Sequence, residues 1–233
     1  MKTPGPLLAA GRDADIFDYG PGLVLRRSRE GRPMAGEARI MEYVRVQGYP
    51  APAIEEVSDD GRDIVMERIH GPDMVIRMSK HPWTIRHQGA VLADLHRRLH
   101  RIEAPEWLPK SPVGQGGRLL HLDLHPLNVM LGPDGPVVID WTGACRGDPN
   151  VDVALTWVLM AAGSVPTGRL IGTILSRARA ALVESFLRGF DTADIALILR
   201  EVVAWKALDP HMSEIERAGM WRVVEEAEPL SPG

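Results

Sequence analysis

Three polar side chains stand out in the apolar stretch from Leu119 to Trp141: Asp123, Asn128 and Asp140. Asn128 follows Asp123 by five positions, and Asp140 follows Asn128 by twelve. Between the last two lie an apolar run (Val129, Met130, Leu131), a Gly-Pro-Asp-Gly turn signal (Gly132 to Gly135) and a second apolar run (Val137, Val138, Ile139). That pattern predicts a β-hairpin, which would bring Asn128 and Asp140 side by side. An amide oxygen and a carboxylate converging there, with a second carboxylate nearby, suit a hard cation such as magnesium. Magnesium beside a positioned carboxylate is the apparatus of phosphoryl transfer. Each residue also has a plainer use. Asp123 and Asn128 can form turns beside Pro126, and Asp140 can cap a turn. His121 and His125 can pack in the core or, with Asp123, ligate a transition metal, although Asn128 is a poor zinc ligand.

The order His121-x-Asp123-x-x-x-x-Asn128, then a hairpin, then Ile139-Asp140-Trp141, resembles the catalytic loop and metal-binding aspartate of the protein-kinase-like fold. The His-x-Asp-Leu-His-Pro-x-Asn form is similar to the aminoglycoside phosphotransferase and choline-kinase branch; protein kinases more often carry His-Arg-Asp and Asp-Phe-Gly. The resemblance implies an α+β fold. Its small β-sheet N-lobe would span residues 1–70, and a mainly helical C-lobe with the acceptor site would span 71–233. It implies ATP and Mg2+ as cofactors and a small-molecule hydroxyl as phosphate acceptor, an aminoglycoside or other antibiotic among the candidates. Asp123 would accept or orient the acceptor's proton, and Asn128 and Asp140 would hold the metal. His121 would support the loop, and His125 would contact the phosphoryl group or pack. The alternative is a nucleotide-binding pseudokinase with a regulatory role. A protein kinase fits less well: no long activation segment leads from Asp140 to an Ala-Pro-Glu, and Trp141 stands where phenylalanine is usual.

These residues need elements to position them. Leu8 to Arg27 predicts a hairpin, with Gly11 to Phe17 as one arm, a turn at Asp18 to Gly22, and Leu23-Val24-Leu25-Arg26 as the other. The resemblance makes this region the cover of the nucleotide phosphates, with Asp13 to Asp15 the candidate flap, yet no Gly-x-Gly-x-x-Gly is present. Arg26 stands where the family has a phosphate-binding lysine. A guanidinium can bind phosphate bidentately but is not equivalent to an ammonium. Strand alternation sends Arg26 and Arg27 to opposite faces. Glu37 opens a helical run to Gln47 that Gly48-Tyr49-Pro50 terminates. It matches the family's glutamate that pairs with the strand cation; as a plain helix residue it would stabilise the N-terminal turn. A second hairpin, Ala53 to Val57 with Asp63 to Glu67, leads into the family's hinge. There the Glu67 carbonyl and the Ile69 amide would take adenine, with Met66 at the back.

Beyond residue 71 the pattern turns helical. Thr84 to Arg101 has an apolar face that carries His96 and His100 one turn apart, expected to pack structurally. Pro105 to Gly117 is a Pro/Gly-rich connector, expected to be mobile and to border the site. Asp148 and Asp152, in Gly-Asp-Pro-x-x-Asp-Val-Ala, are expected to hold the catalytic loop from behind. Four helices should follow: Val151 to Ala162, Thr167 to Gly189, Thr192 to Ala207 and Ser213 to Glu226, with a break at Gly163 to Pro166. Glu201, Asp209, Glu214, Glu216, Glu225 and Glu226 could attract a cationic acceptor or simply be solvated. The 233 residues, 45% hydrophobic with net charge −4, suit a globular protein without general nucleic-acid affinity. The single Cys145 excludes an internal disulfide and, with no leader pattern or apolar run near the roughly 20 residues that span a bilayer, suggests a cytoplasmic protein away from membranes. Composition sets no oligomeric state.

Overall fold

Strand and helix periods alternate along the chain as follows: β1 (Leu7–Ala10), β2 (Ala14–Asp18), β3 (Leu23–Ser28), α1 (Ala35–Val46), β4 (Ile54–Val57), β5 (Asp63–Glu67), α2 (Met74–Lys80), α3 (Ile85–Leu99), β6 (Arg118–Leu120), β7 (Val129–Gly132), β8 (Gly135–Val138), β9 (Cys145–Gly147), α4 (Pro149–Ala162), α5 (Arg169–Leu187), α6 (Thr192–Lys206) and α7 (Glu214–Ala227). The computed structural model describes residues 1–11, 13–162 and 169–227. The expected break at 163–166 and the start of the expected helix at Thr167 lie outside the described residues. Two compact units result, Met1–Asp73 with Asn128–Gly143, and Met74–Leu127 with Ala144–Gly233.

The first unit is built on an antiparallel sheet in the order β1-β2-β3-β5-β4. In β3 and β5 the pairs Val24↔Met66 and Arg26↔Ile64 alternate with Leu25↔Val65 and Arg27↔Asp63. Leu25 and Val65 pack with Tyr19, Phe17 and Leu23. The alternate positions, Arg26 among them, therefore belong to the opposite face. Helix α1 buries Glu37, Ala38, Ile40, Met41 and Val44, a stripe at helical spacing. It ends in a Schellman motif: Gly48 at φ 77° donates to the Arg45 carbonyl, and the Tyr49 N–H donates to the Val44 carbonyl, both at 2.9 Å. The β7–β8 hairpin forms around the two residues Pro133 and Asp134, with Val129 opposite Val138. Its Leu131 N–H donates to Pro72 O and its Val138 N–H to Pro50 O, so this late segment is bonded into the first unit. The expected hairpins are present, and β1 is an added edge strand paired with β2.

The second unit is helical. Helix α4 is buried along nearly its whole length, from Val151 to Val158 without interruption, and packs against α6 and α7, while α3 packs against α5. Helix α6 starts from an Asp191 cap that accepts the Ala193 N–H. Helix α7 starts from a reciprocal box: Ser213 N–H donates to Glu216 Oε2, and Glu216 N–H donates to Ser213 Oγ. Among the described residues, no helix is long and apolar enough to cross a membrane.

The connector from Pro105 to Gly117 is tied down rather than loose. Ser111 N–H donates to Arg146 O at 2.7 Å and Arg146 N–H to Pro109 O at 2.8 Å, so the connector runs beside β9 like an extra strand. Leu108 and Val113 are buried. A side chain at Gly116 would collide with the Gly147 backbone. Gly114, against the Val151 side chain, and Gly116 serve close approach.

Candidate active site

Arg26 is the centre of the first unit's polar cluster. Its Nη2 lies 3.3 Å from Glu37 Oε2 and 3.2 Å from Asp140 Oδ1. The pairing follows from the register: Arg26 is opposite Ile64 on the sheet face away from Leu25. Arg27, one residue on, forks onto Asp63 at 2.8 and 2.6 Å and covers the Phe17 ring. The two arginines thus take different partners on opposite faces, as strand alternation predicts.

Asp140 arrives by the hairpin. Ile139 N–H donates to Asn128 O at 3.0 Å, which closes the ladder just outside Val129 and Val138. Asp140 then takes φ 64°, a left-handed conformation. Leu122, beside Asp123, has φ 58°. Among the described residues these are the only two non-glycine residues with positive φ. Such backbone costs of order 1 kcal/mol and gathers where geometry serves chemistry. After Asp140, a 3-10 turn at Trp141–Gly143 is anchored by Trp141, whose Nε1 donates to Val138 O and whose ring meets Tyr49 edge-on.

That turn supplies a residue the motif reading missed. Thr142 Oγ1 donates to Asp140 Oδ1 at 2.8 Å and lies 3.5 Å from both Glu37 Oε2 and Arg26 Nη2. The only sequence signal was a hydroxyl two residues after an aspartate, a common local bond.

Glu37 is only 7% exposed. Burial, reinforced by the charge of Asp140, pushes its carboxyl up to about 7, while Arg26, the Trp141 backbone and Thr142 pull the other way. The folded state therefore holds a proton that the unfolded chain has released above its usual value near 4.5. This contribution to stability is full below about 4.5 and is lost as pH rises through about 7. His96 acts oppositely. Burial pushes it down to about 4, so its contribution is present above about 6.5 and is lost as pH falls toward 4. The two slopes offset each other in wild type. Glu37→Gln removes one, so its stability relative to wild type should rise by about 3 kcal/mol between pH 4 and 8. Denaturant titrations across that range check this, and a constant difference would show that Glu37 ionises normally.

The second unit holds Asp123 and the histidines around it. Asp123 is 40% exposed on its side chain, with His125 Nε2 at 3.4 Å from its Oδ1. Burial works to raise its carboxyl, but the His125 bond and charge, with His121 and Lys206, outweigh it and hold the group below its usual range. His121 is fully buried. Its N–H donates to Asp152 Oδ2 at 3.1 Å, and the Leu122 N–H donates to Asp152 Oδ1 at 2.8 Å. His100 Nε2 donates to Asp152 as well, at 3.1 Å. Burial works to raise the Asp152 carboxyl, but the His100 bond and the charges of His96, His100 and His121 hold it far below its usual range. Thr156 Oγ1 donates to Leu124 O at 2.9 Å and meets His96 Nε2 at 3.0 Å. His96 and His100 are thus scaffold. Asp148 accepts the Asn150 N–H at the start of α4.

The remaining expected residues fall as follows. Met66 is buried on β5. The Glu67 side chain accepts the Ala53 N–H at 3.1 Å, and Ile69 follows Arg68, whose N–H donates to Gly22 O. Of the acidic residues considered for a cationic acceptor, Asp209 pairs with Lys206 at 2.9 Å and Glu216 caps α7. Cys145 is buried and pushed up to about 12, chiefly by burial, so it is an unreactive thiol. Among the described residues, no group of three His, Cys, Asp or Glu could cage a metal. One carboxylate and one amide fit magnesium, which takes few protein oxygens and completes its shell with phosphates and water.

Residues 86–195 match the model of a phosphotransferase enzyme family, APH. The chain is similar to a crystal structure of an aminoglycoside-3'-phosphotransferase of type VIII at 20% identity and TM-score 0.58, over 94% of this chain and 90% of that one. It is similar to a choline/ethanolamine kinase family protein from Mesorhizobium loti at 16% identity and TM-score 0.60, over 97% and 88%. It is also similar to amicoumacin kinase solved with AMP-PNP, Ca2+ and Ami, at 15% identity and TM-score 0.53, over 97% and 89%. No curated protein sequence matches the chain. The fold is protein-kinase-like, and the resemblance read from the loop and hairpin motifs is borne out.

Proposed function

We propose that this protein-kinase-like chain, matched over residues 86–195 to a phosphotransferase enzyme family, is an ATP-dependent phosphotransferase acting on a hydroxyl of a small molecule. Aminoglycosides and other hydroxylated antibiotics are the first acceptors to test. One observation carries the reading: Arg26 sits against Glu37, Asp140 and Thr142, at the end of the hairpin that starts from Asn128.

In this reading Arg26, steadied by Glu37, neutralises the α- and β-phosphates. Asn128 and Asp140 would hold magnesium, which would offset the charge of the phosphates. The backbone at Glu67 and Ile69 takes adenine, and Met66 closes the back of that site. Asp123 faces the acceptor hydroxyl. Its lowered basicity suits orienting that hydroxyl and taking the proton late, because phosphoryl transfer asks little of the base early. His125 sets the direction of the Asp123 carboxylate. ATP chemistry and an unpaired thiol agree with a cytoplasmic setting.

ATP consumption and thermal shift, screened over aminoglycosides, macrolides, choline-like amines and sugars, test the reading. Acceptor-dependent ATP turnover is expected. Absence of both turnover and Mg·ATP binding would end it. In Asp140→Ala, calorimetry should show Mg·nucleotide affinity falling by at least roughly tenfold; an unchanged affinity removes Asp140 from the metal site.

A further inference from the structure

We infer that Thr142 is a positioning residue: its hydroxyl keeps the Asp140 carboxylate turned so that one oxygen remains available to a divalent cation, and keeps that carboxylate from closing a two-point pair with Arg26. The inference rests on the phosphotransferase reading and concerns how its metal half is set.

Both side-chain bonds to Asp140, from Thr142 at 2.8 Å and from Arg26 Nη2 at 3.2 Å, fall on Oδ1. Oδ2 therefore keeps its lone pairs. The Thr142 hydroxyl has one proton and two carboxylates within reach. At 2.8 Å against 3.5 Å, that proton goes to Asp140 rather than Glu37.

The competing arrangement is built into Arg26. Its Nε is buried and has no hydrogen-bond partner. The Nε–Nη2 edge of a guanidinium matches the two oxygens of a carboxylate. Asp140 and Glu37 each touch Nη2 through one oxygen, and Asp140, its side chain 33% exposed against 5% for Glu37, is the one with room to turn. A turn of the Asp140 carboxylate would give Arg26 both bonds and take both oxygens from the metal. The Thr142 bond opposes that turn. It can do so because the Trp141–Gly143 segment is fixed by Trp141 against Val138 and Tyr49. A threonine serving only as a turn-former would have no such link to the metal.

The test compares wild type, Thr142→Val, which keeps the shape without the hydroxyl, and Thr142→Ser, which keeps the hydroxyl. AMP-PNP binding is followed by calorimetry across a magnesium series and without metal. In Thr142→Val the magnesium concentration for half-maximal tight binding should rise roughly tenfold, as loss of a bond to a charged group implies. Thr142→Ser should restore the wild-type midpoint. In an Arg26→Lys background, where no fork can form, the effect of Thr142→Val should shrink below roughly threefold. An unmoved midpoint in Thr142→Val overturns the proposal, as does an equal effect in the Arg26→Lys background. If wild type itself fails to bind Mg·AMP-PNP, the underlying phosphotransferase reading falls first and takes this inference with it.

Discussion

Asp123→Ala should lower kcat by roughly a thousandfold, the usual scale for a group that handles the transferred proton. Nucleotide affinity should stay within about twofold of wild type, since the expected loss lies in the transition state rather than in ground-state binding. The groups assigned to phosphate and metal, Arg26, Glu37, Asn128 and Asp140, fall in the first unit, and Asp123 falls in the second. Asp123→Asn is the informative companion, because it keeps an oxygen that can orient a hydroxyl but cannot take its proton. The carboxyl is already held below its usual range, so the pH–rate profile should show no acidic limb near neutrality from this group. Single-turnover kinetics with a verified acceptor measures both effects. Transfer at the wild-type rate in Asp123→Ala would remove Asp123 from the chemistry.

Asp152→Ala should destabilise the chain by about 3–5 kcal/mol, the scale for breaking a fully buried charged network. Three donors lose their acceptor at once: the N–H groups of His121 and Leu122 and the imidazole of His100. None is placed to recover it from water, because Asp152 and His121 are fully buried. For a chain of this size that implies a melting point lower by roughly 10 °C. Leu122 would also lose the bond that holds its left-handed backbone, and Asp123 follows it directly. Catalysis should therefore fall even at temperatures where the variant is folded. Asp152→Asn should recover little, since its amide would present a donor to a backbone N–H. A melting point within a degree or two of wild type would show that the loop is held by other contacts.

Much of this was legible along the chain because the signals are local. The β7–β8 hairpin follows from two apolar runs around Gly-Pro-Asp-Gly. Its register follows from the two-residue turn, and that register brings Ile139 against Asn128. That Arg26 and Arg27 face opposite ways needed only the period of a strand. The end of α1 was written in Gly48 and Pro50, and the start of α7 in Ser213 and Glu216. Each of these rests on atoms within a few residues of one another.

Other features answered to contacts that no local window holds. Glycine and proline in the Pro105–Gly117 connector suggested freedom, but whether a glycine loosens a segment or lets it approach another backbone depends on what lies opposite. Here it is β9. The two-residue link from Asp140 to Thr142 was visible, yet its meaning depended on Glu37 and Arg26 reaching the same hydroxyl from more than a hundred residues away.

The sequence by itself determined which side chains are candidates for the chemistry and the order in which they come, since spacing, turn residues and strand period are properties of neighbours. Only the tertiary structure decided how those side chains are tuned. The burial that raises Glu37, the two backbone bonds that Asp152 gives the catalytic loop, and the single oxygen of Asp140 that Thr142 and Arg26 share all come from groups distant in the chain. Desolvation and hydrogen-bond geometry exist only once those groups have been folded into contact.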